Sequence, residues 1–100
     1  MQATVSVNEG RAVIRLQGRF DFNAHRDFRD AIDSALSANA VAISVDFGSV
    51  EYLDSSALGM LLMLRDRAKG VGREVTLTNC RGAVKQILDI ANFGKLFKID

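Results

Sequence analysis

Residues 52–62 read YLDSSALGMLL, a carboxylate and two hydroxyls set directly ahead of an apolar run. If the run is a helix, Asp54 is the natural N-cap. Its carboxylate would accept a hydrogen bond from the backbone N–H of Ser56 or Ala57. Ser55 and Ser56 then fall in the first turn, where N–H groups lack intrahelical acceptors. A hydroxyl placed there can cap or pack, or it can accept a phosphoryl group. The phosphoryl group adds about −1.5 to −2 charge, and a helix N-terminus favours negative charge by roughly 0.3–1 kcal/mol. Capping explains one polar side chain and leaves the second hydroxyl open.

Gly59 raises a related question. Glycine inside a helix costs about 1 kcal/mol relative to alanine. Close approach of another backbone would account for it, from the protein's own sheet or from a partner, and the sequence leaves both origins standing. Asp21, Asp46, Glu51 and Asp54 are expected at loops or strand ends near the serines. A dianion added to such an edge would repel a partner docked on an acidic or apolar patch. The side chains read as possible docking positions are Asp21, Phe22, Tyr52, Ala57 and Met60.

Other chemistries find little support. His25 is the one histidine, and no Gly-x-Ser-x-Gly elbow pairs it with a nucleophile. No Gly-x-x-x-x-Gly-Lys loop cradles a phosphate. One His and one Cys make a metal site improbable by composition, and no cofactor is expected. Cys80, just ahead of a helix, reads as a small packed residue rather than a reactive thiol. Met60 and Met63 read as core, and Arg65-Asp66-Arg67 as a solvated face.

The elements that must position Ser56 follow from periodicity. Thr4–Asn8 and Arg11–Gln17 alternate apolar and polar residues across Glu9-Gly10, a β-hairpin pattern, with Gly18 expected to end the second strand. From about Phe22 the period becomes helical, Phe28, Ala31, Ile32 and Ala35 sharing one face, with Asp21 or Asn23 as cap. Val41–Phe47 alternates again, and Gly48-Ser49 is expected to break it into a loop reaching Leu53. Ser55–Lys69 is a helix apolar almost all round. Glu74–Thr78 is a strand, Arg81–Ala91 a third helix, and Leu96–Ile99 a last short strand. Strand–helix–strand units after a hairpin predict an α/β fold: a mixed sheet of about four or five strands flanked by about three helices.

The totals agree. With 48% hydrophobic and 25% charged residues, the composition is that of one globular domain over residues 1–100 rather than of a disordered chain. A formal net charge of +1 gives no reason to expect nucleic acid or an anionic membrane as partner. The run Ala57–Leu64 is too short to span a bilayer. The N-terminus lacks the pattern of an export signal. A single cysteine fits a reducing cytoplasm, and a monomer is the default expectation.

Beyond these local readings, YLDSSALGMLL resembles the signature of the STAS domain as found in anti-sigma factor antagonists. LQGRFDFNAHRDFRDAI, AISVDFGSVEYLDSS and the closing NFGKLFKI resemble other parts of that family. The resemblance covers essentially the whole chain. It implies a STAS-type fold, a non-enzymatic regulator and a phosphoacceptor at Ser56, with Asp54 and Ser55 shaping the site. It also implies partner switching. The unphosphorylated protein would bind a GHKL-type serine kinase that doubles as an anti-sigma factor, phosphorylation would release it, and a PPM-type phosphatase would reset it. Ala57 stands where many members have Gly, and many members carry a further helix after the position of Asp100. The alternative within the family is a scaffold subunit of a lipid-transport ATPase or a stress-sensing complex, in which Ser56 is not phosphorylated.

Overall fold

The computed structural model describes every residue from Met1 to Asp100. Strands β1 (Gln2–Asn8) and β2 (Arg11–Phe20) form the hairpin. A 3-10 turn at Phe22–Ala24 then leads into helix α1 (His25–Ser37). Strand β3 (Ala42–Leu53), helix α2 (Ser55–Gly70), strand β4 (Glu74–Thr78) and helix α3 (Gly82–Ile90) follow. A second 3-10 turn at Phe93–Lys95 and the short strand β5 (Lys98–Ile99) complete the chain. The five strands lie in sequence order in one sheet. β1 is antiparallel to β2, and β2, β3, β4 and β5 are parallel neighbours, each crossover carrying one helix.

The hairpin turns on Glu9 and Gly10, both at positive φ (52° and 78°), which matches the right-handed twist of the flanking strands. β2 is buried on alternate residues: Ala12, Ile14 and Leu16 are enclosed, while Arg11, Arg15 and Gln17 are exposed. The register places Ile14 beside Val45, and Val45 beside Leu77, so these residues share the packed face. The core is one cluster of 24 buried residues, centred on Phe20, Phe28 and Phe47. The Phe20 ring lies 4.8 Å from Phe28 and 6.4 Å from Phe47, joining β2, α1 and β3.

Two expectations are corrected. Gly18 does not end β2, and Gly48-Ser49 does not end β3. The β2–β3 ladder continues to Phe20↔Leu53 through two register shifts, one between Arg15 and Gln17 and one between Gly18 and Arg19. Bulges of this kind absorb an extra residue and increase local twist without ending the pairing. Gly18 sits at φ +98°, where its lack of a Cβ is required. Val41, expected to open the strand that runs to Phe47, lies ahead of β3 and is 79% exposed.

Candidate functional site

Because β3 runs on to Leu53 and α2 begins at Ser55, Asp54 alone connects them. Asp54 is extended (φ −114°, ψ −175°), as an N-cap residue should be. Its Oδ1 accepts from the Ala57 N–H at 3.0 Å. Its carbonyl accepts from Leu58 N–H at 3.3 Å, and its own N–H donates to the Phe20 carbonyl at 3.2 Å. The side-chain cap is therefore made by Asp54, with neither serine hydroxyl taking part. Ser55 is exposed and Ser56 half-buried, both in the first turn of α2.

The neighbouring strand ends in the same way. Phe20 pairs with Leu53, and each is followed by an aspartate. The Asp21 carboxylate accepts from the Asn23 N–H at 3.0 Å and caps the 3-10 turn that opens α1. Asp21 and Asp54 thus stand side by side at the carboxyl edge of the sheet, the usual place for ligands and partners in parallel sheets. Arg19, which sequence reasoning did not single out, pairs with Asp21 at 3.7 Å and lies 4.4 Å from the centroid of the Tyr52 ring. No local motif announces this contact, because it depends on the cross-strand pairing of Arg19 with Tyr52. Phe22, 73% exposed, and Tyr52, 39% exposed, complete an aromatic rim.

The remaining expected positions separate. Ala57 (0% exposed) and Met60 (4%) are core residues on the inner face of α2, together with Leu61 and Leu64, so their side chains offer nothing to a partner. Asp46 lies in the middle of β3 rather than at its end, whereas Glu51 is exposed two residues before the last residue of the strand. Asp46 accepts from Asn79, the Gly48 N–H and Arg15 at 3.0, 2.8 and 3.4 Å. Burial works to raise its carboxyl, but the hydrogen bonds from Asn79, Gly48 and Arg15, aided by the Arg15 charge, hold it below the ordinary 3.8. The carboxylates that cap the elements at the serine edge are Asp21 and Asp54. Cys80 is half-buried, and burial pushes its thiol up to about 11. Gly59 is exposed, and a Cβ built on it meets nothing within 4 Å. Its own sheet does not approach it.

The family comparison fits this geometry. The family described as "Mlab, STAS domain" matches residues 3–98. The chain belongs to the STAS domain family. A STAS-domain containing protein of Pseudomonas aeruginosa (strain UCBPP-PA14) is 48% identical over 97 residues, covering 97% of this chain and 95% of that protein. Among solved structures, an anti-sigma factor antagonist from Mycobacterium paratuberculosis matches with a TM-score of 0.82 at 22% identity, covering 98% of this chain and 83% of that one. The Bacillus cell fate determinant SpoIIAA, solved in its phosphorylated form, matches with a TM-score of 0.71 at 24% identity, over 98% and 90% of the two chains. These likenesses establish the STAS fold, a mixed five-stranded sheet with three helices. No helix of this STAS domain is long and apolar enough to cross a membrane.

Proposed function

We propose that this STAS domain is an anti-sigma factor antagonist that works as a phosphorylation-controlled binding module and not as an enzyme. In the unphosphorylated state it binds a GHKL-type serine kinase that acts as an anti-sigma factor. Phosphorylation of Ser56 releases that kinase, and a PPM-type phosphatase restores binding. The observation that carries this reading is that Asp54 makes the side-chain cap, which frees the Ser56 hydroxyl for another role.

A phosphate on Ser56 would sit at the amino end of a 16-residue helix, where the dipole tolerates it. Toward a partner it would add its charge to those of Asp21 and Asp54; like charges set against a docked acidic surface cost several kcal/mol, and a docked apolar surface would have to desolvate the unpaired phosphate. The bare backbone at Gly59, three residues beyond Ser56, supports close approach by a partner on the same helix face. That SpoIIAA exists in a phosphorylated form accords with the reading.

The test is to incubate the protein with its cognate kinase and ATP and to map the product by mass spectrometry. Modification at Ser56 is expected; modification at Ser55 alone, or none, counts against the proposal. Ser56→Asp is expected to abolish kinase binding while Ser56→Ala binds constitutively. Equal binding by two folded variants dismisses the charge mechanism.

A second reading draws on the half-burial of Ser56. In a permanent scaffold of a lipid-transport ATPase or stress-sensing complex, the hydroxyl would only pack. Co-purification from native cells separates the two: a stable transporter ATPase supports the scaffold, and a GHKL kinase supports the switch.

A further inference from the structure

At the opposite end of α2 lies a feature that the serine site does not use. A cavity of about 280 Å³ opens between the last turns of α2, the start of β4 and the start of β5. Arg65, Lys69, Arg73 and Lys98 surround it with one carboxylate, Glu74. Four cations against one acid concentrate positive charge here in a chain whose formal total is only +1. None of the chain's ion pairs includes Lys69, Arg73, Lys98 or Glu74, and Arg65 reaches only the exposed Asp66 at 4.0 Å.

The two guanidinium groups are held in place by backbone, not by acids. Arg65 Nε donates to the Leu96 carbonyl at 3.0 Å. Arg73 Nη1 donates to the carbonyls of Leu36 and Ala35 at 2.8 and 3.2 Å, at the end of α1. Each guanidinium carries five N–H donors, so most remain free in a fixed orientation. Arg65 and Lys69 are four residues apart and share one helix face. The fold also explains why the cavity exists. β5 pairs with β4 only at Thr76 and Leu77, so Glu74 and Val75 have no strand beyond them on that side. The cavity fills the place a longer β5 would occupy, and Val75 and Leu96 give it an apolar wall.

We propose that this cavity binds a phosphate ester on a short stem. Fixed guanidinium forks suit a phosphate, which they can engage with two parallel hydrogen bonds. The volume is at the low end for small-molecule sites and admits a phosphate with a small body. The phosphate could belong to a soluble ester or to a phospholipid headgroup, and the chemistry of recognition is the same. Lys69 lies thirteen residues after Ser56 along α2, roughly 20 Å away at 1.5 Å per residue. The site is therefore separate from the phosphorylation site and stands or falls without it.

The test is an amide chemical-shift titration of the full chain, once with glycerol 3-phosphate and once with phosphatidylcholine vesicles with and without phosphatidylglycerol. Saturable shifts or losses at Lys69, Glu74–Thr76 and Lys98 are expected with at least one source, and the arm that responds identifies it. Lys69 and Lys98 are exposed, so the variant K69A/K98A keeps the fold, as circular dichroism can verify, and is expected to weaken binding by about tenfold or more. Ser56→Ala is expected to bind as the parent does. The proposal is overturned if neither source gives saturable changes, if K69A/K98A binds unchanged, or if the changes centre on Ser55–Gly59.

Discussion

The N–H of Asp54 donates to the carbonyl of Phe20 at 3.2 Å, so the residue that caps α2 is also the last rung between β2 and β3. Strand pairing and helix initiation meet in one side chain and one peptide group. The first turn of α2, with both serines, takes its position from two strands at once.

Asp54→Ala removes the carboxylate that accepts from Ala57 and should cost about 1 kcal/mol, the usual loss for a helix cap. Asp54→Asn retains an accepting oxygen and should lose less. Urea unfolding of the three proteins measures both. Equal stability of Asp54→Ala and the parent would mean that a serine can take over the cap.

Gly59→Ala should stabilise the isolated domain by about 1 kcal/mol, because the position is helical, exposed and free of neighbours. The same methyl group should weaken partner binding if a partner's backbone lies against it. Thermal unfolding combined with a binding titration of one variant reads both effects. Gain in stability with unchanged affinity would place the partner elsewhere.

The Asp46 carboxyl is held below its ordinary value of 3.8, so the native state binds fewer protons than the unfolded chain in that range. Its stabilisation is fully present at neutral pH and is lost as pH falls below about 4 through the folded pKa. Asp46→Asn should be less stable by about 1 kcal/mol at pH 7, from weaker hydrogen bonds to Asn79, Gly48 and Arg15. The gap should close in acid. A gap that is constant with pH would show that the charge of Asp46 contributes nothing.

Cys80 should react slowly with iodoacetamide near neutral pH. With its thiol pushed up to about 11 by burial, against about 8.5 for a free cysteine, its thiolate fraction near neutral pH is lower by more than about a hundredfold. Alkylation monitored by mass measurement, against a free thiol control, tests this. A rate equal to the control would mean that the residue is solvated and unshifted.

The parts of the fold readable from sequence are those fixed by short-range chemistry. The Glu9-Gly10 turn, the helical face of Phe28, Ala31, Ile32 and Ala35, and the cap at Asp54 all rest on residues within one or two turns of each other. The continuation of β3 past Gly48 is different. It is decided by pairing with β2, whose residues lie more than thirty positions earlier, and by bulges that have no single residue signature. Arg19 over Tyr52 was hidden for the same reason. The apolar run after Ser56 marks a packed helix but not which side faces in, so Met60, read as core, also stands with Ala57 among the possible docking positions, and both are enclosed.

The one-residue connection at Asp54 carries a further consequence. A flexible tether would let the serines adjust to an incoming surface, whereas here the turn has no slack to give without breaking a strand rung or a helix cap. A partner that docked at this edge, as proposed, would meet a rigid surface: the binding shape would exist before the encounter, little ordering entropy would be spent on complex formation, and a poorly matched partner would meet a wall instead of an accommodating loop.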